Sequence, residues 1–299
     1  MNIFIQQLVN GLAWGGIYAL ISIGYTMVYG VMQLINFAHG DVFMAGAFAG
    51  LVVANLLPNK TSFSSVVLVF LSAMLFSTFL GILIERFGYR SLWKKNAPRL
   101  SLLIVAVSIS LLLENGGLFI FGAAPRSFPQ IIPLKNYSLG GILFTNLQII
   151  LILTSLFLMG ILHIIVMRTK MGRAMRAVAE DSEMSALLGI PRERILSFTF
   201  ALGSALAGIA GVMVALYTPQ INPLMGLLPG LKAFVAAVLG GIGSIPGAML
   251  GGFVLGEAET LVSAYLSSSY RDLLAFLVLI LILLFRPQGL LGKGAVEKI

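Results

Sequence analysis

Two groups of residues carry chemistry in a chain otherwise poor in it. Asn36, His39 and Asp41 fall within Asn36-Phe37-Ala38-His39-Gly40-Asp41, a polar break between apolar runs. Glu114, Lys232, Glu257 and Glu259 lie in or beside other apolar segments. Ionisable groups in such surroundings mark solute paths, proton relays or buried ion pairs. Asp41 also suits the first turn of a helix, where its carboxylate would meet orphan amides and the positive end of the dipole. A proton relay through His39, Asp41 and Glu114 is the alternative. Catalytic zinc needs three convergent ligands. With two histidines, His39 and His163, and no cysteine, neither a metal site nor a catalytic residue is expected.

Arg168 to Arg194 is the longest polar segment and reads as an element meant to be touched. Asp181 or Ser182 can cap a short helix, Glu183 to Leu188 form it, and Gly189 stops it, with Pro191 beyond. Met184, Leu187 and Leu188 share one face, and Glu183 lies away from it. Two turns are not stable alone, so this helix needs the lipid interface or a soluble partner. Arg173, Arg176, Arg192 and Arg194 flank it. A third feature is Gly240-Gly241-Ile242-Gly243-Ser244-Ile245-Pro246-Gly247. Pro246 removes a donor and disfavours helix at Ile245. A helix break is therefore expected here, either as plain packing or as unwound backbone open to a translocated solute.

The elements that must position these residues are transmembrane helices. Of 299 residues, 59% are hydrophobic and 10% charged, against roughly 25% charged in soluble domains. A soluble enzyme and a disordered chain are both excluded. The net charge of +8 would suggest nucleic acid in a soluble protein; here it reflects basic residues gathered in cytoplasmic loops. Fourteen of the nineteen lie in three segments: Arg86 to Arg99, Arg168 to Arg194, and Arg286 to Lys298. Apolar stretches run over about 3–31, 42–57, 66–84, 100–121, 143–167, 196–217, 230–266 (two spans or a broken pair) and 266–285. The expected fold is an all-α polytopic bundle of 8–9 spans, one transmembrane domain over 1–299, with a cytoplasmic loop at 168–195. The N-terminus is expected outside and the C-terminus in the cytoplasm. No Lys or Arg precedes Lys60, so the first stretch is not expected to be a cleaved signal. Gly203, Ala207 and Gly211, then Gly243, Gly247 and Gly251, and Gly252 and Gly256, form small-residue ridges for close helix packing. No repeat is visible by inspection; an inverted repeat would escape it.

Glu183-Met184-Ser185-Ala186-Leu187-Leu188-Gly189-Ile190 is similar to the EAA-type coupling loop of ATP-binding-cassette permeases, with Met184 and Ser185 in place of two alanines. Asn36 to Asp41, Gly172 to Val178, Leu239 to Ala248 and Arg286-Pro287-Gln288-Gly289-Leu290 extend the likeness over nearly the whole chain. Together they resemble the LivH-type permeases of branched-chain amino acid importers. The resemblance implies a bacterial inner-membrane subunit that moves apolar amino acids. It implies a second related permease, two ATPases docked on the coupling helix, and an extracytoplasmic binding protein. No Gly-rich phosphate loop of the form G-x-x-x-x-G-K-[ST] occurs, so ATP and Mg would be bound by the partner subunits and no cofactor by this chain. Glu183, Met184, Ser185, Leu187, Leu188, Gly189, Arg173 and Arg176 are then the coupling candidates. Asn36, His39, Asp41, Gly240, Gly241, Gly243, Ser244 and Pro246 are candidates for the path or its helix breaks. A urea or short-amide permease of the same type, and a stand-alone secondary transporter, are the alternatives.

Overall fold

The computed structural model describes residues 2–95, 97–139 and 142–292. Lys293 and Lys298 of the third basic segment lie outside them. Among the described residues there are eleven helices: α1 (Asn2–Met32), α2 (His39–Leu56), α3 (Phe63–Lys94), α4 (Arg99–Phe121), α5 (Asn146–Arg168), α6 (Lys170–Glu180), α7 (Ser182–Leu187), α8 (Arg192–Tyr217), α9 (Leu227–Gly240), α10 (Ile245–Tyr265) and α11 (Tyr270–Phe285). Seven of them, α1 to α5, α8 and α10, are long and apolar enough to cross a membrane. The chain is a multi-pass membrane protein. Its helices share one end that carries Arg90, Lys94, Arg168 and Arg192, called here the basic end.

The helices begin and end on recognisable signals. Thr145 and Gln148 form a reciprocal capping box at the start of α5. Thr169 caps α6 by accepting from the Gly172 amide at 3.1 Å, and Ser244 caps α10 by accepting from Gly247 at 3.2 Å. α3 continues through the basic stretch to Lys94 and contains a π turn over Ile84–Tyr89. The Pro-rich loop after α4 holds two strand pairings. Arg126–Ser127 (β1) pairs with Gln220–Ile221 (β4), and Asn136–Leu139 (β2) forms a hairpin with Ile142–Thr145 (β3). These short strands were invisible in the sequence because no alternating pattern extends far enough to register.

The helix pairings reveal an inverted repeat. The two most extensive are α1 with α10 and α3 with α8. If α1–α2–α3–α4 is matched to α8–α9–α10–α11, these two pairings exchange. So do α2·α8 with α1·α9, α2·α3 with α9·α10, and α2·α4 with α9·α11, while α1·α8 and α2·α9 map onto themselves. The first unit begins at the end opposite the basic one and the second begins at it. The two units therefore have opposite topology, the architecture of many secondary transporters. α5, α6 and α7 stand between them.

Glycine ridges hold the repeat together. Ala19 and Gly15 of α1 lie against Gly252 and Gly256 of α10. On the matching pair, Gly208 of α8 faces Ala73 and Ser77 of α3, and Gly81 of α3 faces Ser204 of α8. Gly46 of α2 packs on Gly208, and Gly24 of α1 on Gly203. With lipid as apolar as the side chains, close backbone approach of this kind drives association.

Candidate functional site

The first candidate site is the surface at the basic end. Asp181 caps α7, its Oδ1 accepting from the Glu183 and Met184 amides at 3.0 Å each. Gly189 ends the helix with φ +81°, a left-handed position that suits glycine. Ser185 is buried, whereas Met184, Leu187 and Leu188 are 54%, 81% and 75% exposed. Glu183 is also exposed. Three large apolar side chains thus stand on the outside of a six-residue helix and its C-cap, Leu188. Of the flanking basic residues, Arg173 is exposed. Arg176 is exposed as well, and its Nη1 donates to the Val166 carbonyl, satisfying the last turn of α5. The preceding helix α6 is amphipathic, with Gly172, Met175 and Val178 buried, and seats α7 against the bundle.

The second site is inside the bundle, where the two repeats cross. α2 does not start at the basic end. His39, its first residue, lies against Gly24 of α1, which is about 12 Å from the end of that helix at Met32. α9 starts at the same level from the other repeat. A Cβ on Gly40 would stand 2.5 Å from the Gly226 carbonyl oxygen and 3.3 Å from the Gly230 Cα. The Tyr25 hydroxyl engages the backbone of Gly40, and the Tyr25 ring meets the His39 ring edge-on at 4.7 Å. Two half-helices thus bring their N-termini together inside the protein, with both positive dipole ends directed at one place.

Polar side chains surround the junction. Asp41 is buried, and its Oδ2 accepts from Ser110 Oγ of α4 at 2.5 Å. Asp41 was expected to satisfy amides as a cap. In the structure Asp41 does lie in the first turn of α2; the N-cap itself is Ala38, with no side-chain cap bond, and the Asp41 carboxylate also reaches Ser110 of α4. Asn36 is buried and its Oδ1 accepts from the Tyr89 hydroxyl at 2.9 Å. Away from the basic end, an open depression of about 470 Å³ is lined by Leu118, Pro223, Met225, Leu228 and Pro229, among others. Towards the basic end, a small cleft lies between Tyr25, Tyr29, Ile35 and Phe234. The junction separates the two.

The structure does not bring the glycine break at 240–247 to this place. Gly241 and Gly243, at φ +108° and +92°, form the turn between α9 and α10. Gly240 ends α9; Ser244 and Pro246 start α10. The Leu290 and Leu291 amides donate to the Leu239 and Gly240 carbonyls, both at 2.8 Å. The backbone here is occupied by the segment that follows α11, which is why the turn is rich in glycine. Sequence reasoning missed Gly226, Gly230 and Tyr25. The only signal for them was the prolines at 219, 223 and 229, which mark an interruption without giving its depth.

Lys232, Glu259 and Asp272 were scattered in the sequence and meet in the structure. Lys232 Nζ lies 3.0 Å from Glu259 Oε1 and 2.7 Å from Asp272 Oδ1. Tyr18 donates to Glu259 Oε2 at 2.9 Å. Helices α1, α9, α10 and α11 are thereby tied together behind the junction.

Comparison with known proteins places this geometry. A family model described as branched-chain amino acid transport system / permease component matches residues 7–283. The chain is 42% identical over 306 residues to the high-affinity branched-chain amino acid transport system permease protein LivH of Salmonella typhimurium, covering 99% of this chain and 98% of the relative. It is 43% identical over 304 residues to BraD of Pseudomonas aeruginosa, of the same description, with the same coverage. A probable branched-chain amino acid permease of Methanocaldococcus jannaschii is 28% identical over 302 residues, covering 95% and 91%.

Proposed function

The chain belongs to the branched-chain amino acid transport permease family, and from that premise we propose that it imports branched-chain or similar apolar amino acids across the bacterial plasma membrane, driven by ATPases on separate chains. The observation that carries the ATP-driven reading is α7. A six-residue helix that leaves Met184, Leu187 and Leu188 exposed has the form of a knob for a groove on another protein. Hydrolysis and the binding of ATP and Mg belong to those partners. A second permease of the same kind and an extracytoplasmic binding protein complete the assembly. The positive-inside rule puts the basic end in the cytoplasm, hence the N-terminus outside.

The path runs past the half-helix junction. An apolar zwitterion needs a largely uncharged route with something to meet its carboxylate. The converging N-termini of α2 and α9 supply oriented amide dipoles. The depression beside Leu118, Met225 and Leu228 suits the aliphatic side chain. Closing of the ATPases would displace α7, and the two states would differ in whether the Gly40–Gly226 contact is shut. Such a shift requires the motor to bind one state better than the other.

The testing experiment is uptake of labelled leucine into proteoliposomes holding the purified complex. Uptake that needs internal ATP and both permeases supports the proposal. Leucine transport by this chain alone, driven by a proton gradient, contradicts it, and preference for urea over leucine contradicts the substrate.

A further inference from the structure

The coupling surface and the junction are joined by polar contacts linked to one another through the backbones of α3, α8 and the segment before α2. At the outer end, Arg192 donates to Ser182 Oγ of α7 at 3.4 Å and lies over the Trp93 ring at 5.4 Å. Its neighbour Glu193 takes Lys94 Nζ at 2.8 Å and Arg90 Nη1 at 3.8 Å. Further in, Arg90 forks onto the fully buried Glu85 at 2.8 and 2.6 Å. Ser197 of α8 stands between them, accepting from Arg90 at 2.6 Å and within 2.9 Å of Glu85 Oε2. The end of α3 and the start of α8 are thus clamped as one body next to α7.

The π turn makes this clamp possible. Five residues apart on a regular α-helix, Glu85 and Arg90 would point roughly 140° away from each other. The i→i+5 bond from the Arg90 amide to the Glu85 carbonyl brings them onto one face. It also turns Tyr89 inward, with its ring against Phe200 at 5.4 Å and its hydroxyl on Asn36 Oδ1 at 2.9 Å.

Asn36 lies in the non-helical segment between α1 and α2. That segment starts at Gln33, which holds φ +54°, a backbone position strained for a residue other than glycine. Arg99, just beyond α3, donates to Gln33 Oε1 at 3.2 Å. The start of α4 therefore grips the segment at Gln33, and the π turn of α3 grips it at Asn36. The Asn36 backbone carbonyl in turn accepts from the His39 amide at 3.1 Å, one residue before Gly40.

We propose that the Tyr89–Asn36 hydrogen bond transmits displacement of α7 to the N-terminus of α2, making Tyr89 a positioning residue for the transport cycle. This inference rests on the ATP-driven permease reading. Tyr89 touches no solute. It carries motion of the α3–α8 clamp to the half-helix that closes against Gly226.

The test uses the assembled complex in proteoliposomes and reads leucine transported per ATP hydrolysed. Tyr89→Phe keeps the ring and removes the hydroxyl. The ratio is expected to fall about five- to tenfold, with basal ATP hydrolysis and co-purification of the ATPases unchanged. Asn36→Ala should lower it similarly, and the double variant should be no worse than either single one. Arg192→Lys keeps the charge but loses the planar stack on Trp93. It gives a second arm at the other end of the route and should uncouple in the same sense. A parental ratio in Tyr89→Phe, or additive losses in the double variant, overturns the inference. So does a proportional fall in hydrolysis and uptake, the mark of a merely structural role. Absence of ATP-dependent uptake in the parental complex would instead sink the permease reading and this inference with it.

Discussion

Gly40 and Gly226 meet backbone to backbone: a methyl group on Gly40 would stand 2.5 Å from the Gly226 carbonyl oxygen. The two residues come from opposite units of the inverted repeat and sit at the start of α2 and just before α9. In the proposed transport cycle, their contact is the point at which the path is shut. Backbone cannot yield as a flexible side chain does. Gly40→Val is therefore expected to abolish leucine uptake, and Gly40→Ala to reduce it at least tenfold. The check is uptake together with size-exclusion behaviour of the complex. Normal transport by Gly40→Val would remove the junction from the path.

Leu187 and Leu188 are exposed on α7, so charge at either position costs the permease little by itself. Leu187→Asp should leave thermal unfolding of the isolated chain within about 0.5 kcal/mol. Co-purification of the ATPases and ATP-dependent uptake should fall at least tenfold, because a charge would then face an apolar groove. Pull-down and uptake on the same preparation check both halves.

Gly189 is constrained by its backbone rather than by space, since a Cβ there would meet nothing within 4 Å. The expected order of function is Gly, then Asn, then Ala, then Val. Asn tolerates the left-handed region, and others lose roughly 1–2 kcal/mol in it. Uptake rates across the four variants test the order. A Val variant equal to the parent would show that the stop of α7 is irrelevant to docking.

Two ion pairs at the basic end should behave oppositely. Glu85 is fully buried against Arg90, so Arg90→Ala should cost roughly 3–5 kcal/mol by stranding the buried carboxylate. Lys94–Glu193 is half-exposed, and Lys94→Ala should cost no more than about 1 kcal/mol. Thermal unfolding in detergent distinguishes them.

Lys232 ties α9 to α10 and α11 behind the junction. Lys232→Met leaves Glu259 buried without its cation and should destabilise strongly. Adding Glu259→Gln should recover part of that loss, because the two residues act as a unit. Unfolding temperatures of the single and double variants provide the cycle, and simple additivity would contradict the coupling.

Much of this was readable from residue types. The apolar stretches gave the helices, and basic residues marked one end. The sequence Asp181 to Gly189 contained its own cap, face and stop. What escaped was everything set by three-dimensional symmetry. The inverted repeat shows itself in the pairing of helices. Nothing in His39 or Leu227 says that a helix starts inside the bundle, because that depth is fixed by Gly24, Gly40 and Gly230 packing across nearly two hundred residues of chain. The π turn at Ile84–Tyr89 was hidden for the same reason. It exists to satisfy Glu85 and Ser197, which are far apart in sequence. Gly240 to Gly247 was legible as a helix break, and of its two readings the packing one fits the turn, since Leu290 and Leu291 engage the Leu239 and Gly240 carbonyls.

The most direct test of ATP-driven amino acid import is labelled leucine uptake by proteoliposomes containing this chain, its permease partner and the ATPases, supplied with binding protein, compared with and without enclosed ATP. Accumulation against a gradient only when ATP is present, lost in Leu187→Asp, is the expected result. Equal uptake without ATP, or by this chain alone, would contradict it.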